Sequence, residues 1–385
     1  MTRMLLRTLA SVVLLLVSGL IGWRVIAPTE VLAVATTPYP ELAVRSPGAT
    51  GHTPVAPLIV DGRIRVYAAK HQVKADGPVD GRTQYTARWS LRRWPQQLSG
   101  VVASGTTVVT RWSDGELVAI DARTGEIAWR QDGPAGPGYT GHRTGASVVW
   151  APPGLRLAAG AVLASDDQTL AGYDVSTGTP RWQASTTSSC AGGFTTAGGA
   201  YVCEASVYDG VTGAAITTWP SGPWTPVGCD SESSNCAGFR DAAGQGWLAG
   251  TSLPPQRAVA LDAPGATVAA GVIVTALEDR VVAQDADGAE LWTSWTGLTR
   301  VLGTAQKRVV LLTRDNTVIS VDPRTGSASG SFALAVDDEG ILWKPGAFRL
   351  SGDHLAMERL LPNAPDDPES PVYYLTLDTV IIASL

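Results

Sequence analysis

Apolar residues along this chain recur in short alternating runs cut off by Gly, Pro, Asp or Thr. The pattern predicts strands joined by tight turns, and so an all-β protein. One run is different. After Met1-Thr-Arg3-Met-Leu-Leu-Arg7 the chain is apolar from Thr8 to Trp23, then reads Arg24-Val-Ile-Ala-Pro28. A basic segment followed by a hydrophobic core has the layout of an export signal. Counted from Leu5 to Ala27, with Arg7 and Arg24 reaching the two interfaces, it predicts one N-terminal transmembrane helix. Basic residues ahead of the span place the N-terminus in the cytoplasm and the bulk of the chain outside. Ala33-Val34-Ala35 offers a cleavage site, but it lies about ten residues past the apolar core, further than such sites usually sit. An uncleaved signal anchor is the expectation.

The alternating runs are themselves repeated, which points to an array architecture. Leu117-Val-Ala-Ile-Asp121-Ala-Arg-Thr-Gly125-Glu-Ile-Ala-Trp129 is matched by Leu170-Ala-Gly-Tyr-Asp174-Val-Ser-Thr-Gly178-Thr-Pro-Arg-Trp182. Further copies place Asp209, Gly213 and Trp219, then Asp285, Gly288 and Trp292, then Asp322 and Gly326 with Phe332 where the others have Trp. In each copy an apolar strand meets Asp-x-x-Thr-Gly, whose polar side chains bond nearby backbone while Gly accepts a positive φ. The chain reverses there into a second strand. Successive Asp positions are 53, 35, 76 and 37 residues apart, so one copy is absent between Asp209 and Asp285. Asp241-Ala-Ala-Gly244-Gln-Gly-Trp247 and Ala258-Val-Ala-Leu-Asp262 are both candidates for it. Ile64–Ala68 and Gln84–Trp89 read as a strand pair turning at residues 77–81, and 341–343, 354–361 and 372–377 read as three closing strands. Strands from both ends completing one blade would leave no open edge. The expected fold is a seven- or eight-bladed β-propeller of four-stranded antiparallel blades over residues 55–385, after an anchor at 1–30 and a linker at 31–54.

These residues resemble the quinoprotein-type, or PQQ-like, propeller repeat, in good register in two copies and degenerate in the rest. The resemblance implies that the blade-terminal Trp89, Trp129, Trp182, Trp219 and Trp292 dock on neighbouring blades as a girdle. It also raises a PQQ-dependent dehydrogenase as an alternative function. Enzymes of that kind hold the quinone between a Trp and a disulfide of adjacent cysteines, with an acidic base and calcium ligands nearby. This chain has no adjacent cysteines, and no cofactor or metal site is expected.

Charge and chemistry narrow the picture further. The formal net charge is −6 and the N-terminal 35 residues are net positive, so the body is acidic and carries no clustered basic face for nucleic acid. Only four of the 29 basic residues are Lys, a bias that hints at a GC-rich bacterial genome. Four cysteines in an exported chain imply disulfides, and local pairing, Cys190 with Cys203 and Cys229 with Cys236, is the simplest of three connectivities. His52, His71, His142 and His354 stand apart from one another without the spacing of a metalloprotease motif. His142 is the one with a claim on a functional surface. Acidic pairs at Asp166-Asp167, Asp337-Asp338-Glu339 and Asp366-Asp367 with Glu369 read as solvated loops more readily than calcium ligands.

No catalytic residue is expected. The leading reading is a non-enzymatic, membrane-tethered scaffold outside the cytoplasm of a bacterial envelope, with a protein partner. In architecture it is similar to the propeller lipoproteins of outer-membrane protein assembly, although no lipidation Cys follows its apolar segment. A third reading, a small-ligand or glycan-binding protein, rests on Trp94, Trp112, Trp150, Trp224, Trp295 and Trp343, which fall outside the girdle series.

Overall fold

The computed structural model describes residues 11–19, 28–42, 45–80, 86–186, 190–230, 234–250, 254–294, 298–335, 340–375 and 379–385. Within them eight antiparallel sheets follow one another along the chain as the blades of a propeller. Blade 1 holds Leu58–Val60, Ile64–Ala69, Gln72–Gly77 and Thr86–Trp94; blade 2 holds Leu98–Ser104, Thr107–Trp112, Glu116–Asp121 and Ile127–Asp132. Blade 3 runs from Leu155–Ala158 to Pro180–Ser185, blade 4 from Phe194–Thr195 to Val207–Asp209, blade 5 from Thr225–Val227 to Gln256–Arg257, blade 6 from Ala266–Ala269 to Glu290–Ser294, and blade 7 from Leu298–Ala305 to Ala328–Ala333. The first strands of blades 1 to 4 touch in turn, as do those of blades 6 to 8, and line the axis. Each blade therefore runs from the axis outward.

The core lies between blades. One apolar cluster joins Val109, Leu117 and Trp129 of blade 2 to Leu155, Val162 and Tyr173 of blade 3, and another joins Val274 and Trp292 of blade 6 to Val309 and Leu311 of blade 7. A sheet with two apolar faces is buried only when it has a neighbour on each side. Buried arginines add polar joins at the same seams. Arg111 of blade 2 is fully buried and donates to Pro134, Ala135, Gly154 and Ser165 carbonyls at 2.7–3.0 Å. Arg240 of blade 5 reaches the Leu261, Ala263 and Ala266 carbonyls on the way into blade 6.

Three details depart from the sequence reading. Gln72–Gly77 stands between the two strands expected to pair in blade 1; its alternation is too brief to register as a strand. The closing strands are Lys344–Ser351, His354–Leu360 and Val380–Ser384, whereas 341–343 and the described part of 372–377 are not strands. The stretch expected as a linker pairs at two places. Gly48–Thr53 forms the outer strand of blade 8 against Val380–Ser384, so strands from both ends do complete one blade. Thr29–Ala33 adds a fifth strand to blade 1 along Thr86–Trp94. Gly48-Ala-Thr-Gly-His-Thr has no apolar alternation because an outer strand contributes backbone hydrogen bonds more than buried side chains.

Of the expected N-terminal span, the structure describes a helix at 11–19. The helix at 11–19 would rise about 14 Å at 1.5 Å per residue, against a hydrocarbon core of about 30 Å. No helix of the described residues is long and apolar enough to cross a membrane. Residues 1–10 and 20–27, the rest of the expected span, lie outside the described residues, as do Asp337, Asp338, Glu339 and Trp295.

Blades 4 and 5 are the thinnest, with strands of two or three residues. Both disulfides lie here and follow the local pairing. Cys190–Cys203 spans the first hairpin of blade 4, and Cys229–Cys236 closes the loop between the first two strands of blade 5. A crosslink over so short a loop contributes on the order of 2–3 kcal/mol where the apolar core is least able to.

The ring closes on a buried ionic cluster. His354 of blade 8 is almost fully buried, with Nδ1 2.7 Å from Asp353 and Nε2 3.5 Å from Asp80 of blade 1. Arg45 lies 3.4 Å from Asp80 on the other side, and Thr50 of the outer strand bonds Asp80 as well. Burial alone would lower the His354 pKa, but donation of its N–H to the Asp80 carboxylate and the charges of Asp353 and Asp80 raise it overall. Burial likewise opposes ionisation of Asp80, and the His354 and Thr50 hydrogen bonds with the His354 and Arg45 charges bring it below its ordinary value. The His354 contribution is thus complete below about pH 6.5 and is lost as pH rises through the raised pKa. Chemical denaturation from pH 5.5 to 9 should show the native chain losing stability above about pH 6.5, with that component absent in His354→Gln. Equal pH slopes in the two proteins would contradict the assignment.

Candidate functional site

The repeat residues meet across the seams between blades. Trp89 of blade 1 donates its indole N–H to the Ala122 carbonyl of blade 2 at 3.0 Å, and Trp129 of blade 2 to Val175 of blade 3 at 3.1 Å. Trp182 of blade 3 donates to Gly210 of blade 4 at 3.2 Å, and Trp292 of blade 6 to Pro323 of blade 7 at 2.8 Å. The acceptor is in each case the residue after the repeat's Asp. The ring of each Trp also covers the turn glycine, so a Cβ on Gly125, Gly178, Gly213 or Gly326 would come within 2.7 Å of the indole facing it. Those glycines have φ of +76°, +73°, +72° and +69°. Two constraints act at one position, a positive φ and an aromatic ring against the Cα.

The Asp of each turn closes the reversal. Asp174 Oδ1 accepts Ser176 and Thr177 N–H at 2.9 and 3.0 Å, and Asp322 Oδ1 accepts Arg324 and Thr325 N–H at 2.9 Å. Asp285 and Gly288 make the same kind of turn with Ala289 and Asp287 N–H. In blade 5 the matching turn is Asp241 to Gly244, but it joins the second and third strands and so sits on the other face of the ring. Asp262 closes a 3-10 turn and pairs with Arg257. Trp219 does not reach a turn glycine and stacks on Phe239 at 5.0 Å.

Inside the girdle the axis opens at both ends. On the face of the Asp-x-x-Thr-Gly turns lies a cavity of about 600 Å³, lined by first-hairpin residues including Asp61, Asp230, Gln306 and Asp353. Arg349 projects from the inner strand of blade 8 and donates to the Val149 and Trp150 carbonyls at 3.2 and 3.4 Å. Burial brings its pKa down to about 10, with Asp230 opposing that shift. The guanidinium thus ties blade 8 to the one-turn helix Ala146–Val149, which packs on the inner strand of blade 2 and the second strand of blade 1. This helix sits in the link between blades 2 and 3.

Back along the same strand, toward the opposite face, is a second cavity of about 300 Å³ lined by His142, Trp150, Phe348, Glu358, Tyr373 and Tyr374 among others. Glu358 is 4% exposed and accepts Thr144 Oγ1–H at 2.5 Å and Ala347 N–H at 3.3 Å. His142 pairs with Glu369 at its rim. Burial, then the Glu358 charge, raises the pKa of both tyrosines. Of the other tryptophans, Trp112 and Trp343 are buried and offer no open face for a sugar to stack on, whereas Trp150 borders the second cavity. Trp94 packs on His71 at 4.6 Å, and Trp224 donates to Pro220.

The family model described as outer membrane protein assembly factor BamB matches residues 12–140 and 70–219. The chain belongs to this PQQ-like propeller family. Solved structures similar to this PQQ-like chain include BamB from Moraxella catarrhalis (16% identity over 92% of this chain and 97% of that one, TM-score 0.43). The computationally designed Ika8 protein (12%, 88% and 100%, 0.50) and a europium-containing methanol dehydrogenase (13%, 92% and 93%, 0.40) are similar too. At such identities the likeness concerns fold alone, and the Ika8 comparison carries it. No curated protein matches the chain significantly.

PQQ-like membership invites a test for the quinone. The two disulfides join residues 13 and 7 positions apart, so neither offers the platform of adjacent half-cystines. The described residues bring together no group of three His, Cys, Asp or Glu able to hold a metal ion. The described residues do not fit a PQQ site built on adjacent half-cystines and calcium, and no chemical step is derived through one.

Girdle contacts in a PQQ-like ring are stability contacts. Trp129→Ala should cost about 3–5 kcal/mol by opening a cavity between blades 2 and 3. Gly125→Val should cost at least about 1–3 kcal/mol from backbone strain alone. Both should lower the melting temperature, and a Trp129→Ala protein that melts like the native chain would remove Trp129 from the girdle.

Proposed function

We propose that this chain is a non-catalytic, extracytoplasmic propeller of the bacterial envelope that binds a protein partner and is tethered by its apolar N-terminal segment. The observation that carries the reading is the match of 12–219 to a family described as an outer membrane assembly factor. Two disulfides suit an oxidising compartment. Exposed apolar side chains at Val12 to Val17 and, on the rim strand, at Val31 and Leu32 suit attachment at a membrane surface. The acidic body gives no footprint for nucleic acid. Side chains that define the repeat are consumed in holding blades together, which leaves the two faces of the ring for partners.

Site-specific photocrosslinking of the full chain in living cells tests this reading. Probes would replace exposed Val211 on the turn face, and Leu342 and Val372 on the opposite face. Discrete adducts with an envelope protein, confined to one face, are expected. Absence of adducts at every position, or equal adducts at all three, would count against a dedicated scaffold.

A further inference from the structure

We propose that the 300 Å³ cavity beside the Ala146–Val149 helix is a binding site for one cationic group, an alkylammonium or a guanidinium. Three features of the walls favour that chemistry. The first is Glu358, a carboxylate held almost entirely out of water yet lining the space. Its position is fixed by Thr144 Oγ1–H and the Ala347 N–H, so the negative charge is preorganised. A charge in such surroundings is felt more strongly than one in water.

The second is the aromatic lining. Trp150, Phe348, Tyr373 and Tyr374 all border the cavity, and Tyr373 and Tyr374 meet edge to face at 4.7 Å. The negative faces of aromatic rings attract cations, and more strongly where ring and cation are desolvated. Aromatic walls around a carboxylate select an organic cation over a hydrated metal ion, which needs oxygen ligands in number. The third is that the described residues lining the cavity include no Lys or Arg. Arg349 follows Phe348 in the strand and so projects to its other side, where it is engaged by the Val149 and Trp150 carbonyls.

The rim adds to the field. Glu369 stands at the mouth paired with His142, and Asp366 is close enough to Tyr373 to raise its pKa. A cavity of about 300 Å³ is at the small end for ligand pockets. It suits one side chain or a small amine. Such a cation has two sources, a free organic amine or a Lys or Arg side chain presented by a protein. The inference does not depend on the scaffold reading, because the walls would bind a cation in either case.

Isothermal titration calorimetry on the full chain in detergent would use tetramethylammonium, the amides of N-acetyl-lysine and N-acetyl-arginine, and neopentyl alcohol as the neutral match for tetramethylammonium. The charged probes should bind about tenfold or more tightly than the alcohol, a difference of about 1.4 kcal/mol. Glu358→Gln should lower cation affinity by a similar factor and leave the alcohol unchanged. Tyr373→Leu, at a half-buried position, supplies a second variant if Glu358→Gln does not fold, and should weaken every cation. Tighter binding of the amino-acid amides points to a protein side chain, and tighter binding of tetramethylammonium to a free amine. Equal binding of the alcohol and the cation, or affinity unchanged in a folded variant, would overturn the proposal, as would no binding by any probe.

Discussion

A blade of this ring has two apolar faces and cannot cover either, so the contact between one blade and the next governs everything else. That contact has a repeated form. An indole from the fourth strand lies on the turn glycine of the following blade and donates to the carbonyl beside the turn's Asp, as in Trp89 to Ala122 and Trp129 to Val175. The stack requires a residue without a Cβ, and the turn requires a positive φ. One glycine answers both, which is why the motif is so compact in sequence.

Where the stack is absent, other forces take over. Blade 5 places its Asp241 turn on the other face, and the seam from blade 4 is held by the Trp219–Phe239 stack and by Cys236 backbone bonds to Thr195 and Ala197. The two disulfides lie in these same thin blades. The planar guanidinium, with five donors, can engage several carbonyls at once where an ammonium has three. Arg111 and Arg240 use it that way at two seams. At the last seam, strand pairing by Gly48–Thr53 and the cluster of His354, Asp80, Asp353 and Arg45 close the ring. Both mouths of the axis are shaped by inner strands held rigid by these contacts, including the cavity around Glu358.

Much of this architecture is written in local pattern. The all-β class, the position of the repeat turns and the cysteine pairing follow from alternation, turn chemistry and proximity. The spacing from turn glycine to aromatic carries more than the motif alone suggests. Trp129, Trp182 and Trp292 lie four residues after their glycine and dock on the next blade's turn, whereas Trp219 and Phe332 lie six after theirs, and Trp219 stacks elsewhere. The strand Gly48–Thr53 is silent in sequence because its contribution is backbone pairing. Glu358, Tyr373 and Tyr374 are silent for a different reason. The cavity is assembled from blade 8 and from the link between blades 2 and 3, segments whose lining residues lie 196 or more positions apart, as Ala151 and Ala347 do, and no local spacing records such a meeting. Among the lining residues, His142, a histidine in a glycine-rich loop, and Trp150, a tryptophan outside the girdle series, carry a sequence signal.

The girdle depends on the indole and the glycine acting as a pair, and a double-mutant cycle between Trp129 and Gly178 measures that directly. In the native chain Gly178→Ala should bear both the positive-φ strain and the clash with the indole. After Trp129→Ala the clash is gone and the strain remains. The account predicts that the cost of Gly178→Ala falls by more than about 1 kcal/mol in the Trp129→Ala background, within the range for residues in contact. Costs that add to within about 0.5 kcal/mol, as for independent sites, would contradict it.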